Sequence, residues 1–404
     1  MISLEAPRKF DPLVNQAHQV AMNLLRPISR KYDLREHDYP VELDMLASMI
    51  DGLTSSGQGE GAGAAGVRRG GDDRDKDVNK NGSNMSSALS VMEMCWGDAG
   101  LMLTMPRQGL GNSAIASVAT DEQLEKFRGA WAAMAITEPD TGSDTASIRT
   151  TATRDGDSYV INGQKIFVTC GDRADVVVVW ATLDRALGRA AIKSFVVPKD
   201  SPGLTLIRLE KKLGVRVSDT AVLQFDDVRV PAENLLGSPE VNVEQGFAGV
   251  MATFDNTRPL VGAMSCGIAR AALEYTRDLL AEKGIAVDYV KPPWTQHAAA
   301  ATLLRLEADY EASYLLVLES AWMADNRRPN SLEASMAKAK AGTTVTETTQ
   351  KCVELCTGLG YSETELLEKW ARDSKIFDIF EGTQQIQQLI MARRLLGKTS
   401  SELR

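Results

Sequence analysis

Residues 157–168 read Asp157-Ser158-Tyr159-Val160-Ile161-Asn162-Gly163-Gln164-Lys165-Ile166-Phe167-Val168, and Val176-Val177-Val178-Val179-Trp180 follows shortly after. The first stretch predicts a hairpin turning on Asn162-Gly163, a pair that tolerates the backbone of a tight two-residue turn. The second is a continuous apolar run, the pattern of a strand buried on both faces. Ala191-Ile192-Lys193-Ser194-Phe195-Val196-Val197-Pro198 and Ala221-Val222-Leu223-Gln224-Phe225 add two strands, separated by Pro and Gly turns. Strand patterning thus marks a middle zone, residues 131–237.

Outward from that zone the period changes. Val14, Ala17, Val20, Ala21, Leu24 and Leu25 recur at helical spacing, followed by Val41-Glu42-Leu43-Asp44-Met45-Leu46. Residues 57–82 are rich in Gly, Asp, Lys and Arg with almost no apolar content. Such a segment buries too little surface to offset its ordering entropy, so a mobile loop is expected. Its Arg68-Arg69-Gly70-Gly71 lacks the flanking strand and helix that a phosphate-binding loop needs. From Asn242 onward long amphipathic helices return, and Gly262, Ala263, Gly267 and Ala269 allow them to pack closely. The expected fold class is α+β and multidomain: an N-terminal α-helical domain (1–130), a middle antiparallel β-barrel-like domain (131–237) and a C-terminal α-helical bundle (238–404). Strands and helices do not alternate, which argues against a doubly wound sheet.

Bulk composition excludes several classes. The chain has 404 residues, enough for more than one core, with 44% apolar and 25% charged residues. A formal net charge of -9 gives no electrostatic case for nucleic acid or an anionic membrane surface. His18, His37 and His297 lie far apart, and the five cysteines include no C-x-x-C pair, so no metal site is expected. Cys352 and Cys356 share a helix face and read as buried apolar residues. Met1-Ile2-Ser3-Leu4-Glu5 has no signal-peptide character and no apolar run reaches membrane-span length, so a cytoplasmic location is expected.

Near the end, Ile379-Phe380-Glu381-Gly382-Thr383-Gln384-Gln385-Ile386-Gln387 interrupts a helical pattern that resumes through Leu389-Ile390-Met391-Ala392. Thr383 is placed to cap the resumed helix. Glu381 admits two readings. It is an exposed residue before a capped helix, or a poorly solvated carboxylate whose pKa rises toward that of a general base.

Four segments in order favour the second reading. Met134-Ala135-Ile136-Thr137-Glu138-Pro139-Asp140-Thr141-Gly142-Ser143-Asp144, then Asn162 to Thr169, then Lys212-Leu213-Gly214-Val215-Arg216-Val217-Ser218-Asp219-Thr220, and the Glu381-Gly382-Thr383 stretch together resemble the acyl-CoA dehydrogenase family. Phe254-Asp255-Asn256-Thr257-Arg258-Pro259 resembles the start of that family's long C-terminal-domain helix. The resemblance covers nearly the whole chain apart from the Gly-rich insertion. It implies FAD as cofactor, with Met134, Ile136, Thr137 and Ser143 at the flavin's pyrimidine end and the adjacent thioester. Phe167, Val168 and Thr169 would form the opposite wall, where relatives commonly carry Trp in place of Phe167. Thr383 and Gln385 would add cofactor contacts, and Ser143, Asp255, Arg258 and Gly382 substrate contacts, with Arg258 toward CoA. Glu381 would be the base that removes the α proton. Some relatives place the base one residue before the Arg of the D-x-x-R segment, but here that position is Thr257. The implied activity is dehydrogenation of an acyl-CoA to the trans-2-enoyl-CoA in fatty acid metabolism, with an electron-transfer flavoprotein as electron acceptor. An acyl-CoA oxidase, or a non-catalytic partner subunit, are the alternatives on the same scaffold.

The chain also departs from the family. Where relatives carry R-x-x-F-G it reads Lys283-Gly284-Ile285-Ala286-Val287, and where they carry Q-x-x-G-G-x-G it reads Glu354-Leu355-Cys356-Thr357-Gly358-Leu359-Gly360. In the family these segments complete the neighbouring subunit's flavin site. Lys is a poorer bidentate phosphate partner than Arg, and Glu354 brings negative charge. A heterotetramer with a related acyl-CoA dehydrogenase subunit is therefore expected, with a homotetramer as the simpler alternative.

Overall fold

The computed structural model describes residues 6–55, 81–106, 110–241, 248–399 and 402. Six helices come first: α1 (Asp11–Val20), α2 (Arg26–Leu34), α3 (Glu42–Ser55), α4 (Ser83–Thr104), α5 (Leu110–Val118) and α6 (Asp121–Lys126). A five-residue π-helical segment, Ala21–Leu25, joins α1 to α2. Helix α6 starts on a reciprocal cap in which Thr120 and Gln123 satisfy each other's backbone N–H. The loop expected over 57–82 lies outside the described residues apart from Asn81 and Gly82.

Seven strands follow: β1 (Ala132–Ala135), β2 (Thr151–Asp155), β3 (Ser158–Thr169), β4 (Val176–Thr182), β5 (Ile192–Pro198), β6 (Leu204–Leu209) and β7 (Thr220–Pro231). They form one curled sheet in the order β1-β4-β2-β3-β7-β6, with β5 on the other edge of β4. The sheet is mixed, which corrects the antiparallel expectation: β1 and β2 both run parallel to β4. All seven residues of β4 are buried, as its unbroken apolar run requires.

Asn162-Gly163 is not a turn. The β2–β3 hairpin turns instead at Gly156-Asp157, between the paired Asp155 and Ser158, with Gly156 at φ +59°. Asn162-Gly163 sits inside β3 at a register shift against β7. The Asn162 amide bonds Asp227 across the strands, and a Cβ on Gly163 would lie 2.4 Å from Thr150 Oγ1. A bulge and a turn ask for the same two residue types, so the sequence pattern alone leaves them indistinguishable.

Six further helices close the fold: α7 (Ala248–Glu282), α8 (Ala298–Asp325), α9 (Ser331–Leu355), α10 (Thr357–Tyr361), α11 (Leu367–Ser374) and α12 (Gln384–Leu396). Close approach depends on the small residues. A Cβ on Gly267 would stand 2.2 Å from Met92 O of α4, and one on Gly342 would stand 2.7 Å from Phe377 O. Gly342 thereby lets the 3-10 segment Lys375–Asp378 settle onto α9, burying Phe377 completely. That burial contributes roughly 1.5–3 kcal/mol and fixes the chain just ahead of Glu381.

A charged core ties three regions together. Buried Lys369 on α11 contacts Asp98 of α4 at 2.7 Å and Asp373 at 2.5 Å. Asp373 also accepts the Val215 N–H at 2.6 Å, and Arg372 bonds the Leu213 carbonyl and Asp33 of α2. Gly214 is required here, since a Cβ would fall 2.4 Å from Arg372 O. The Lys-Leu-Gly-Val-Arg segment is thus clamped onto the helix that leads to Glu381.

Candidate active site

Two clusters carry the predicted site residues. The first forms where β1 ends. The Glu138 carboxylate is buried and accepts the N–H groups of Arg149 at 2.6 Å and Thr150 at 2.9 Å. Lys165 Nζ, fully buried, bonds Glu138 at 2.8 Å and the Ile136 carbonyl at 2.9 Å. Burial pushes the Glu138 carboxyl up, but Lys165 and the donated hydrogen bonds outweigh it and hold it below its usual value. Burial likewise pulls Lys165 down to about 8, partly offset by Glu138. This pair fixes the turn from Ile136 to Thr141.

Thr137 accepts the Ile166 N–H at 2.9 Å, which sets the turn beside the second half of β3. There the register against β7 shifts between Lys165 and Val168. Phe167 takes φ +56° and is 58% exposed, while Val168 is buried. Through the Thr137–Ile166 bond the end of β1, with Met134, Ile136 and Thr137, meets the end of β3, with Phe167, Val168 and Thr169, along an edge that β2 no longer covers, where Ile136 and Val168 are buried. It offers the exposed Phe167 ring and two half-buried threonines, Thr137 and Thr169, with open space at Gly142, where a Cβ would meet only Thr137 Cγ2 at 3.9 Å. Such an edge fits a flat, hydrogen-bonding heteroaromatic ring. Ser143 lies exposed at its rim.

The second cluster surrounds Glu381. Thr383 caps α12 by accepting the Ile386 N–H, as predicted. Glu381 and Gly382 both have left-handed backbones, φ +55° and +89°. For Glu381 this conformation costs about 1–2 kcal/mol, so the surroundings must enforce it. They do so through carbonyls. Gln387 Nε2 bonds the Glu381 carbonyl at 3.0 Å and the Gly382 carbonyl at 3.2 Å, and Lys338 Nζ bonds the Gly382 carbonyl at 2.7 Å.

Thr257 Oγ1 donates to Glu381 Oε2 at 2.7 Å. Glu381 is part-exposed as a residue, yet its carboxylate stands in packed surroundings that push its pKa above the usual value. The Thr257 hydroxyl, Arg258 and Lys338 each oppose that rise. The position that rivalled Glu381 in the sequence therefore supplies its hydrogen-bond donor. Arg258 is buried beside this cluster. Gln385 is exposed on the first turn of α12. Asp255 lies in α7, with its side chain outside the described residues.

Sequence reading missed Lys338, Gln387 and the Glu138–Lys165 pair. For Lys338 a signal existed: a basic residue on a helix face otherwise made of Ala334, Ala337, Ala341 and Gly342 is placed for burial. A separate cavity of about 340 Å³ opens behind the first cluster, lined by Glu138, Arg149, Thr150, Asn162, Gln164 and Arg185 among others. Glu381 does not border it. Among the described residues no helix is long and apolar enough to cross a membrane.

Comparison with known proteins adds independent findings. Residues 133–228 match the family described as acyl-CoA dehydrogenase, middle domain, and residues 244–396 match acyl-CoA dehydrogenase, C-terminal domain. The chain is 34% identical over 324 residues to the probable acyl-CoA dehydrogenase YngJ of Bacillus subtilis, covering 78% of this chain and 83% of that protein. It is 38% identical over 272 residues to the short-chain specific acyl-CoA dehydrogenase of rat mitochondria. That match covers 65% of this chain and 62% of the rat protein, so the chain spans somewhat under two thirds of that relative's length. The structure of butyryl-CoA dehydrogenase from Megasphaera elsdenii superposes with a TM-score of 0.79 at 30% identity, over 98% of this chain and 100% of that one.

Proposed function

The chain belongs to the acyl-CoA dehydrogenase family, and from that premise we propose that it dehydrogenates an acyl-CoA thioester to the trans-2-enoyl-CoA, with Glu381 as the α-proton base. The observation that carries this reading is the Glu381 carboxylate itself: desolvated, raised in pKa, and held by Thr257 on one oxygen. Because Oε2 is engaged, Oε1 is the oxygen that receives the proton. The Glu381 N–H donates to no backbone carbonyl among the described residues, which supports its bonding the thioester carbonyl and acidifying the α carbon. A fixed donor of this kind acts where negative charge develops. Arg258 and Ser143 are the residues we assign to the CoA thioester.

FAD is the cofactor of this family, and when bound it supplies the acceptor for the β hydride. Met134, Ile136, Thr137, Phe167, Val168 and Thr169 would hold its ring system at the sheet edge, with Thr383 and Gln385 contributing from the loop before α12. The three-part division at about 130 and 237 would place these groups on different domains. Replacing Glu381 by Gln tests the reading. Flavin reduction by acyl-CoA should fall by roughly a thousandfold or more with flavin content unchanged. Normal turnover in that variant would remove the base.

A related partner subunit is favoured by the replaced trans segments. Glu354 pairs with Lys351 at 2.6 Å, and Thr357 stands at φ +52°, a conformation that glycine adopts more readily. Val290 and Trp294 after α7 are 94% and 85% exposed, large apolar groups that a neighbouring subunit would cover. The chain purified alone should hold flavin weakly, and co-expression with the partner should restore it. One tightly bound FAD per subunit in an active homotetramer would sink the heteromer. Electron-transfer flavoprotein is the expected acceptor, and peroxide formation in air would instead indicate an oxidase.

A further inference from the structure

The side chain of Lys338 is fully buried on α9, yet among the described residues no carboxylate comes within ion-pair distance of it. Its one hydrogen bond among the described residues goes to the Gly382 carbonyl at 2.7 Å. The charged groups that face it are Asp378 from the 3-10 segment, Glu381 from the loop and Arg258 from α7. Burying an ammonium without a contacting carboxylate is expensive, and an apolar side chain of similar length would avoid the cost. The loop it touches shows what the cost supports. With the Glu381 and Gly382 carbonyls both turned toward Lys338 and Gln387, the Glu381 N–H is left without a backbone acceptor.

We propose that Lys338 is a positioning residue for the base: its ammonium, through the Gly382 carbonyl, holds the Glu381-Gly382 step in its left-handed geometry, and its charge favours the ionised carboxylate. The inference rests on Glu381 being the base. Its two parts separate by chemistry. The hydrogen bond sets where the Glu381 N–H and Oε1 point, whereas the positive charge acts through space on the carboxylate. Burial raises the Glu381 pKa, and the Lys338 field is one of the three influences that lower it.

Two variants separate the parts. Lys338→Met removes both bond and charge, while Lys338→Gln removes the charge and keeps an N–H donor toward Gly382. Flavin reduction should fall about 10- to 100-fold in Lys338→Met, in kcat more than in KM. It should fall less in Lys338→Gln. In both, the acid limb of the pH profile should move to higher pH. Isotope-edited infrared titration of the Glu381 carboxylate, assigned by its loss in Glu381→Gln, should move the same way without reference to turnover. An unchanged rate in Lys338→Met together with an unshifted carboxylate titration overturns the proposal. If Lys338→Met fails to fold, an unshifted titration in Lys338→Gln does so by itself. Should Glu381→Gln turn over normally, the base assignment fails instead, and the two failures are distinguishable.

Discussion

Lys369 and Lys338 are both buried lysines, one on the helix that leads to the Glu381 loop and one on the helix packed against it, and their pKa values move in opposite directions. Desolvation lowers both. At Lys369 the contacts with Asp373 and Asp98 outweigh it, and the pKa rises well above the usual lysine range. At Lys338 no carboxylate contact offsets burial, and the pKa drops to about 8. Burial alone therefore does not set how these two charges behave; the two carboxylates in contact with Lys369, absent at Lys338, account for the difference. One lysine fastens three regions together, and the other is held at a cost beside Glu381.

The comparison can be broken at several points. Lys369→Met would strand Asp98 and Asp373 as buried carboxylates, and stability should fall by about 3–5 kcal/mol, read by denaturant unfolding. Lys338→Met should have the opposite sign. The folded-state pKa of Lys338 lies below its unfolded value, so the unfolded chain binds more protons between about pH 8 and pH 10. The resulting penalty is fully present below pH 8 and fades as pH rises through that window. Removing the lysine should thus stabilise the fold at pH 7 by up to roughly 3 kcal/mol, at about 1.4 kcal/mol per pKa unit, while impairing the reaction. A large loss of stability in Lys338→Met would erase the distinction between the two lysines. The smallest effect is expected at Thr257→Val, which removes a donor to Glu381 Oε2. The Glu381 pKa should rise, the acid limb of the pH profile should follow, and the rate at high pH should change by roughly tenfold or less.

The sequence exposed those parts of the molecule that rest on local chemistry. The Thr383 cap, the buried run of β4 and the small residues at Gly262 and Gly267 follow from propensity and period, and each took its expected place. The strand order did not follow. Parallel pairing of β1 and β2 with β4 depends on where chain segments meet after long connections, which period-two alternation does not encode. Asn162-Gly163 misled because a bulge uses the same residues as a turn. The small residues around Lys338 marked it for burial, but its role is not written in them.

The charged core has a consequence for how the chain is made. Asp33 and Arg372 are separated by 339 positions, yet they form a direct contact. During synthesis Asp33 and Asp98 emerge first and wait for cations that lie near the end of the chain. Until Lys369 and Arg372 leave the ribosome, Asp33 has Arg30 alone as a cation and Asp98 has only hydrogen bonds from Ser29 and Leu101 to offset burial, so the final docking of these helices must be late. This is slow, high-contact-order assembly, and nascent chains stopped short of residue 369 should remain clients of chaperones.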